Sequence, residues 1–228
     1  AGRAQIADNL IMTNWGLSAA AFEMPREAVK NGKPEGLPEV TVEMDISAIN
    51  TQKEYDAKVE VAEKLAEKYG LALLDAEVMG EAVLKVLVAP MTFAGLLSHG
   101  PGGLTWIGAY GPCSLYQEAW STATDVFSRH PRITPMLYAK TFKHGHFGAM
   151  RTLICFDRSN SEEVREVRVL MREMAEALLD RGFIPYKTPV WVTKLILKRC
   201  DPNFTLFMKK IKQALDPNRI MNPGRWGL

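Results

Sequence analysis

The order of apolar and polar positions divides the chain into short alternating stretches and a few longer helical ones. Residues 40–47, VTVEMDIS, alternate as a half-buried strand does. Over 51–70 the apolar residues recur at helical spacing, with Tyr55, Val59, Ala62, Ala66 and Tyr69 on one stripe and Gly70 as the stop. Residues 71–78, LALLDAEV, predict a strand, and 91–103, MTFAGLLSHGPGG, a loop. From residue 104 the pattern sharpens. A strand over 104–111, LTWIGAYG, precedes a helix over 114–130 and a strand over 133–142, ITPMLYAKTF. A second strand over 149–157, AMRTLICFD, leads to a long helix over 161–182 and a short strand over 183–187, FIPYK. The long helix carries Val164, Val167, Met171, Met174 and Leu178 on one side and ends at Gly182. Ser159, three residues before Glu162, has the spacing of a capping box.

Strand, helix, strand, strand, helix, strand is the order of a ferredoxin-like unit. The expected class is therefore α+β, with a large antiparallel sheet and helices on one face. The other face of that sheet would be free to cover something. Along the chain this predicts a mixed opening segment at 1–38, a sheet domain at 39–203, and a closing helix with its tail at 204–228. The tail, DPNRIMNPGRWGL, is broken by Asp-Pro, Asn-Pro and Gly after the helix FTLFMKKIKQAL. It carries Ile220, Met221 and Trp226, so it is expected to be packed down and to hold Arg225 in a specific place.

Composition narrows the function classes. The chain has 228 residues, 47% apolar and 24% charged, an ordinary globular balance with enough length for a real core. Net charge is +2 with both signs interleaved, which favours neither nucleic acid nor an anionic membrane. No apolar run approaches the roughly 18 residues of a spanning helix, and the start lacks the design of a secretory signal. The first residue is not Met, which suggests a longer precursor, a cleaved chain or one subunit of a split enzyme. Cys113, Cys155 and Cys200 lie far apart with no CxxC or Cys/His spacing. That pattern predicts free thiols in a reducing compartment and no zinc site. A cytoplasmic location fits it best, with the periplasm left open.

Candidate chemistry is sparse. In KHGHFG, His144 and His146 share a face if the backbone is extended, which suits a surface or structural role first, then a general base or a substrate contact, and least a metal pair lacking a third ligand. The Gly-rich SHGPGGLTWIG fits no phosphate-loop pattern, and no Gly-x-Ser-x-Gly elbow is present. In IPYKTP, a phenol and an ammonium, Tyr186 and Lys187, sit between two prolines, a pair that can clamp an anionic oxygen. Arg225 offers a second cation.

The stretch IPYKTPVWVTKLILKRCDPNFTLFMKKIKQALDPNRIMNPGRWGL resembles the C-terminal end of the vanillyl-alcohol oxidase and p-cresol methylhydroxylase flavoproteins. GLTWIGAYGP and GAMRTLICFDRSN are similar to the corresponding strands. The resemblance implies a cap domain laid over the flavin of FAD, with the FAD-binding domain or subunit elsewhere. It implies that the chain works as an oxidoreductase removing a hydride from a para-substituted phenol or aromatic alcohol. Tyr186, Arg225 and His146 would then be catalytic. Lys187, Arg225, Asn222 and Tyr110 would lie near the cofactor, and Tyr186, Trp106 and His144 would touch substrate. A cytochrome or another acceptor would take the electrons, within an oligomer. Several departures go with it. Lys187 stands where the family has Arg, and Gly103 or Leu104 stands near the usual tethering His, so a covalent link to FAD is unsupported. Ala149 or Met150 falls where the cap His is expected, leaving His146 as a shifted substitute. Two other readings remain: a FAD-linked D-2-hydroxy acid dehydrogenase domain, although HxGDGNxH is missing, and a non-catalytic interaction subunit.

Overall fold

The computed structural model of the chain describes residues 6–22, 24–48, 50–73, 99–142, 145–187 and 189–227. The strand expected at 71–78 lies almost wholly outside these residues, as does His144. Among the described residues six strands form one antiparallel sheet in the order β2-β1-β4-β5-β3-β6. They are β1 (Asn9–Asn14), β2 (Val40–Asp45), β3 (Gly102–Pro112), β4 (Met136–Thr141), β5 (Phe147–Asp157) and β6 (Ile184–Tyr186). The last four, with helices α4 (Tyr116–Ser128) and α5 (Ser161–Asp180) between them, are the ferredoxin-like unit expected from the sequence. β1 and β2 extend that unit past β4. β1 comes from the opening segment, where no strand was expected. Around the sheet run α1 (Trp15–Ala21), the single turn α2 (Arg26–Val29), α3 (Gln52–Lys68), α6 (Val190–Leu197) and α7 (Pro202–Leu215).

Alternation along each strand sorts side chains to the two faces. Ile107 and Ala109 of β3, Leu137 and Ala139 of β4, and Met150 and Ile154 of β5 face α4, α5 and α6. They meet Ala119, Ala123 and Phe127 of α4 and Val167, Leu170, Met174 and Leu178 of α5. Each of the larger Val, Leu, Ile, Met and Phe side chains contributes about 1.5–3 kcal/mol by leaving water, so this face anchors the domain. On the buried stripe of α5, Leu170 takes the place expected of Met171, which is only half-buried. The cap of α5 is Asn160, not Ser159: its side chain accepts from the backbone N–H of Glu162 and Glu163. Ser159 instead donates to Asp157, closing the turn before the helix. α3 has the predicted extent, but Tyr55 and Tyr69 are exposed, and Ala66 alone is fully buried on its stripe.

Among the described residues, the opposite face is covered only at one end. There α1 lays Leu17 and Ala20 on Met136, Leu153 and Cys155. Burial pushes the Cys155 thiol up to about 12, so it is an inert apolar filler. The helix is held down by Asn14, which is buried at the end of β1. Its Oδ1 accepts from Leu17 N and Leu137 N, and its Nδ2 donates to Pro135 O. Beyond α1 no described helix covers this face of the sheet.

The tail is fastened differently from the sequence expectation. Ile220 and Met221 are exposed at 78% and 57%, so apolar packing of these residues does not hold it. The anchor is Asp216, buried after α7, whose carboxylate accepts from Ile220 N and Met221 N and pairs with Lys212. A 3-10 turn at Arg225–Gly227 follows and packs against α6.

Candidate functional site

One row of residues crosses all six strands on the open face. The register pairs Thr41 with Thr13, Thr13 with Tyr138, Tyr138 with Arg151, Arg151 with Gly108, and Gly108 with Tyr186. Antiparallel partners share a face, so these side chains point the same way. Gly108 is the gap in the row. A Cβ there would lie 2.5 Å from Cε1 and 2.8 Å from the hydroxyl oxygen of Tyr186, so only glycine lets the Tyr186 ring lie across β3. Through that gap Arg151 Nε donates to the Tyr186 hydroxyl. The Arg151 guanidinium lies 5.3 Å from the Tyr138 ring centre and 5.8 Å from that of Tyr186, a cation between two aromatic rings.

The next row carries Glu43, Ile11, Lys140, Ala149, Tyr110 and Ile184. Tyr110 stacks on Tyr186 with ring centres 4.5 Å apart and planes 15° from parallel. Phe142 and Phe147, 39% and 46% exposed, close around Tyr110 at 5.9 and 5.6 Å. Burial pushes the Tyr138 phenol up, so it stays protonated beneath Arg151. Burial, then the neighbouring Asp45 charge, likewise raises the Glu43 carboxyl at the far end of the row.

At the other edge, Pro185, Tyr186, Lys187, Arg225 and Trp226 line an open depression. Lys187 turns the chain out of β6 with φ of 48°, in the left-handed region. Asn222, with φ of 46°, does the same in the tail, and its carbonyl accepts from Arg225 N at 3.2 Å. Among the described residues neither Lys187 nor Arg225 has a carboxylate within ion-pair distance.

The structure thus brings together Tyr186, Tyr110, Lys187 and Arg225 of the residues singled out from the sequence. Trp106 is on the same open face, next to the patch under α1, where it packs with Leu104 and Tyr138 around Met136 and Leu153. His146 is exposed on the turn before β5, with its carbonyl accepting from Cys113 N at 3.0 Å. Arg151 and Tyr138 were not foreseen. The available signal was a single arginine in the otherwise uncharged run AMRTLICF.

Residues 192–226 match the family of FAD linked oxidases, C-terminal domain. No curated protein matches the sequence. Among solved structures, p-cresol methylhydroxylase with substrate bound is similar with a TM-score of 0.75 and 17% identity, over 96% of this chain and 46% of that one. 4-Ethylphenol oxidase from Gulosibacter chungangensis, in an isoeugenol complex, is similar with a TM-score of 0.73 and 16% identity, over 96% of this chain and 47% of that one. The chain spans less than half the length of either. At these identities the likeness is one of fold, and the sequence match is confined to the closing helices and tail. Residues 192–226 thus resemble the C-terminal domain of FAD linked oxidases, and the chain as a whole shares its fold with a part of p-cresol methylhydroxylase and of 4-ethylphenol oxidase.

Proposed function

We propose that this chain is the substrate side of a FAD-dependent oxidoreductase that acts on a para-substituted phenol or aromatic alcohol, together with a FAD-binding domain or subunit. The observation that carries this reading is Tyr186: a phenol hydroxyl backed by Arg151 and sharing its pocket wall with Lys187 and Arg225. Both similar structures are of enzymes named for phenols, p-cresol methylhydroxylase and 4-ethylphenol oxidase. In this reading 39–203 form the lid, completed by β1 from the opening segment, and 204–228 dock the tail.

The residues fit a flavin. The open face offers flat aromatic surface at Tyr110, Phe142 and Phe147, and two cations without carboxylate partners among the described residues, Lys187 and Arg225. These two would hold the cofactor's electron-rich edge, and bound FAD would supply the hydride acceptor. The exposed Phe204, Phe207 and Leu215 along α7 give the complementary domain an apolar surface to cover.

The protein's own contribution is to the charge on the substrate oxygen. A hydroxyl from Tyr186 and nearby cations favour the ionised phenol. An ionised para-alkylphenol releases its benzylic hydride more readily, because the remainder is a neutral quinone methide. Tyr110 and the phenylalanines would keep water from the ring.

The test is anaerobic. The flavin-loaded protein is mixed with a para-alkylphenol and the visible spectrum is followed. Bleaching of the flavin, slowed by Tyr186→Phe, supports the reading. An unchanged spectrum with phenols, or bleaching by a 2-hydroxy acid with stoichiometric bound metal, ends it.

A further inference from the structure

We infer that Arg151 is a substrate-binding residue: its guanidinium, together with the Tyr186 hydroxyl, holds the ionised oxygen of the phenol. The inference rests on the function proposed above.

Three observations carry it. The first is charge. Arg26, Arg129, Arg132, Arg181 and Arg199 each reach a carboxylate. Arg151 is half-buried, and among the described residues no carboxylate lies within ion-pair distance of it; it meets two tyrosines instead. A half-buried cation without a counter-charge is costly, and an incoming anion removes that cost. The second is donor geometry. Nε is committed to the Tyr186 hydroxyl, which leaves the Nη groups without a hydrogen-bond partner among the described residues. Because Arg151 takes a lone pair of the Tyr186 oxygen, the single phenol proton is free to point elsewhere. One oxygen anion can then accept both from Tyr186 and from a guanidinium amino group. The third is position. Lys187 follows Tyr186 directly but is exposed at the mouth of the depression, and an ammonium lacks the planar fork. Arg151 supplies that fork from β5, across the gap at Gly108.

The same geometry narrows the substrate. Tyr110 stacks on Tyr186 beside this pair, so a flat ring with an ionisable hydroxyl suits it.

The probe is 4-nitrophenol, whose ionised form is yellow, titrated into the wild-type protein below the pH at which the free compound ionises. Difference spectra report how much is bound and whether it is bound as the phenolate. The expected result is binding of the yellow form by the wild type, with affinity at least about tenfold lower and the yellow band lost in Arg151→Met. Arg151→Lys should recover part of the affinity. Lys140→Met removes a charge from the same face one row away and should change affinity by less than about threefold. Gly108→Ala, which keeps Arg151 but displaces the Tyr186 ring, should also lose the yellow band, and it covers the case in which Arg151→Met does not fold.

Equal phenolate binding by wild type and Arg151→Met overturns the inference while leaving the proposed function standing. A loss in Lys140→Met as large as in Arg151→Met also overturns it, since a diffuse positive field would then suffice. A wild-type protein that binds no phenol overturns the proposed function and this inference together.

Discussion

Arg151 on β5 and Tyr186 on β6 are hydrogen-bonded across an intervening strand, because the residue between them in the register is Gly108. Neighbouring strands lie about 4.8 Å apart, so side chains two strands away meet only if both are long and the middle position is empty. This arrangement turns three separate strands into one polar centre beside the stacked ring of Tyr110.

Filling that gap should therefore damage both fold and function. Gly108→Ala puts a methyl group 2.7 Å from Cζ of Tyr186, and the ring must move. We expect a loss of about 1–3 kcal/mol from overpacking, read from the urea midpoint, with a larger proportional loss of phenol binding. An unchanged midpoint together with unchanged binding would show that the ring has free space.

Tyr186→Phe isolates the hydroxyl. The stack on Tyr110 and the contact with Gly108 remain, so stability should change by no more than about 1.5 kcal/mol. Turnover of a para-alkylphenol should fall about a hundredfold or more, as when one oriented donor to a developing charge is removed. Steady-state kinetics beside a thermal melt separates the two effects.

Asn14 should prove a structural hinge point. It is the side chain through which β1, α1 and β4 are joined, with three hydrogen bonds to backbone groups. Asn14→Ala leaves those groups buried and unpaired, at a cost of about 2–4 kcal/mol by chemical denaturation. Asn14→Asp keeps the acceptor but loses the donor to Pro135 O, and should fall between the two.

The tail should loosen in acid. The Lys212 ammonium, followed by the backbone N–H groups of Ile220 and Met221, holds the Asp216 carboxyl below its usual value of 3.8. A group whose native pKa is depressed stabilises the fold above its unfolded pKa, and that contribution is lost as pH falls through the native value. Release of the tail is thus expected below about pH 4. It should be visible as a change in the Trp226 emission, isolated by subtracting the spectrum of Trp226→Phe. Asp216→Asn should show the loosened signal already at neutral pH and no further acid step of this origin.

Most of the secondary structure could be read from local pattern. The α5 stripe of Val167, Met174 and Leu178, the alternation in β3 to β5, and the order of elements in the ferredoxin-like unit are properties of short windows, governed by side-chain period. Tyr186, Lys187 and Arg225 could also be singled out, because paired charge and phenol beside prolines or turns leave a visible mark in the sequence. Two local readings failed for local reasons. Asn160 outcompeted Ser159 for the cap because Asp157 captured the serine hydroxyl. The tail is fixed by a buried carboxylate rather than by Ile220 and Met221, because a turn satisfies its backbone groups through Asp216 at little cost in area.

The chain pattern alone therefore determined most of the strands and helices, and it marked Tyr186, Lys187 and Arg225 as candidates. Only the tertiary structure decided that β1 extends the sheet, that Tyr138, Arg151, Gly108 and Tyr186 fall on one line, and that Arg151 meets a phenol rather than a carboxylate. The reason is physical: strand register is a choice between segments far apart in the chain, made by the sum of all their contacts. A shift of one residue would send Arg151 to the opposite face without altering any local preference.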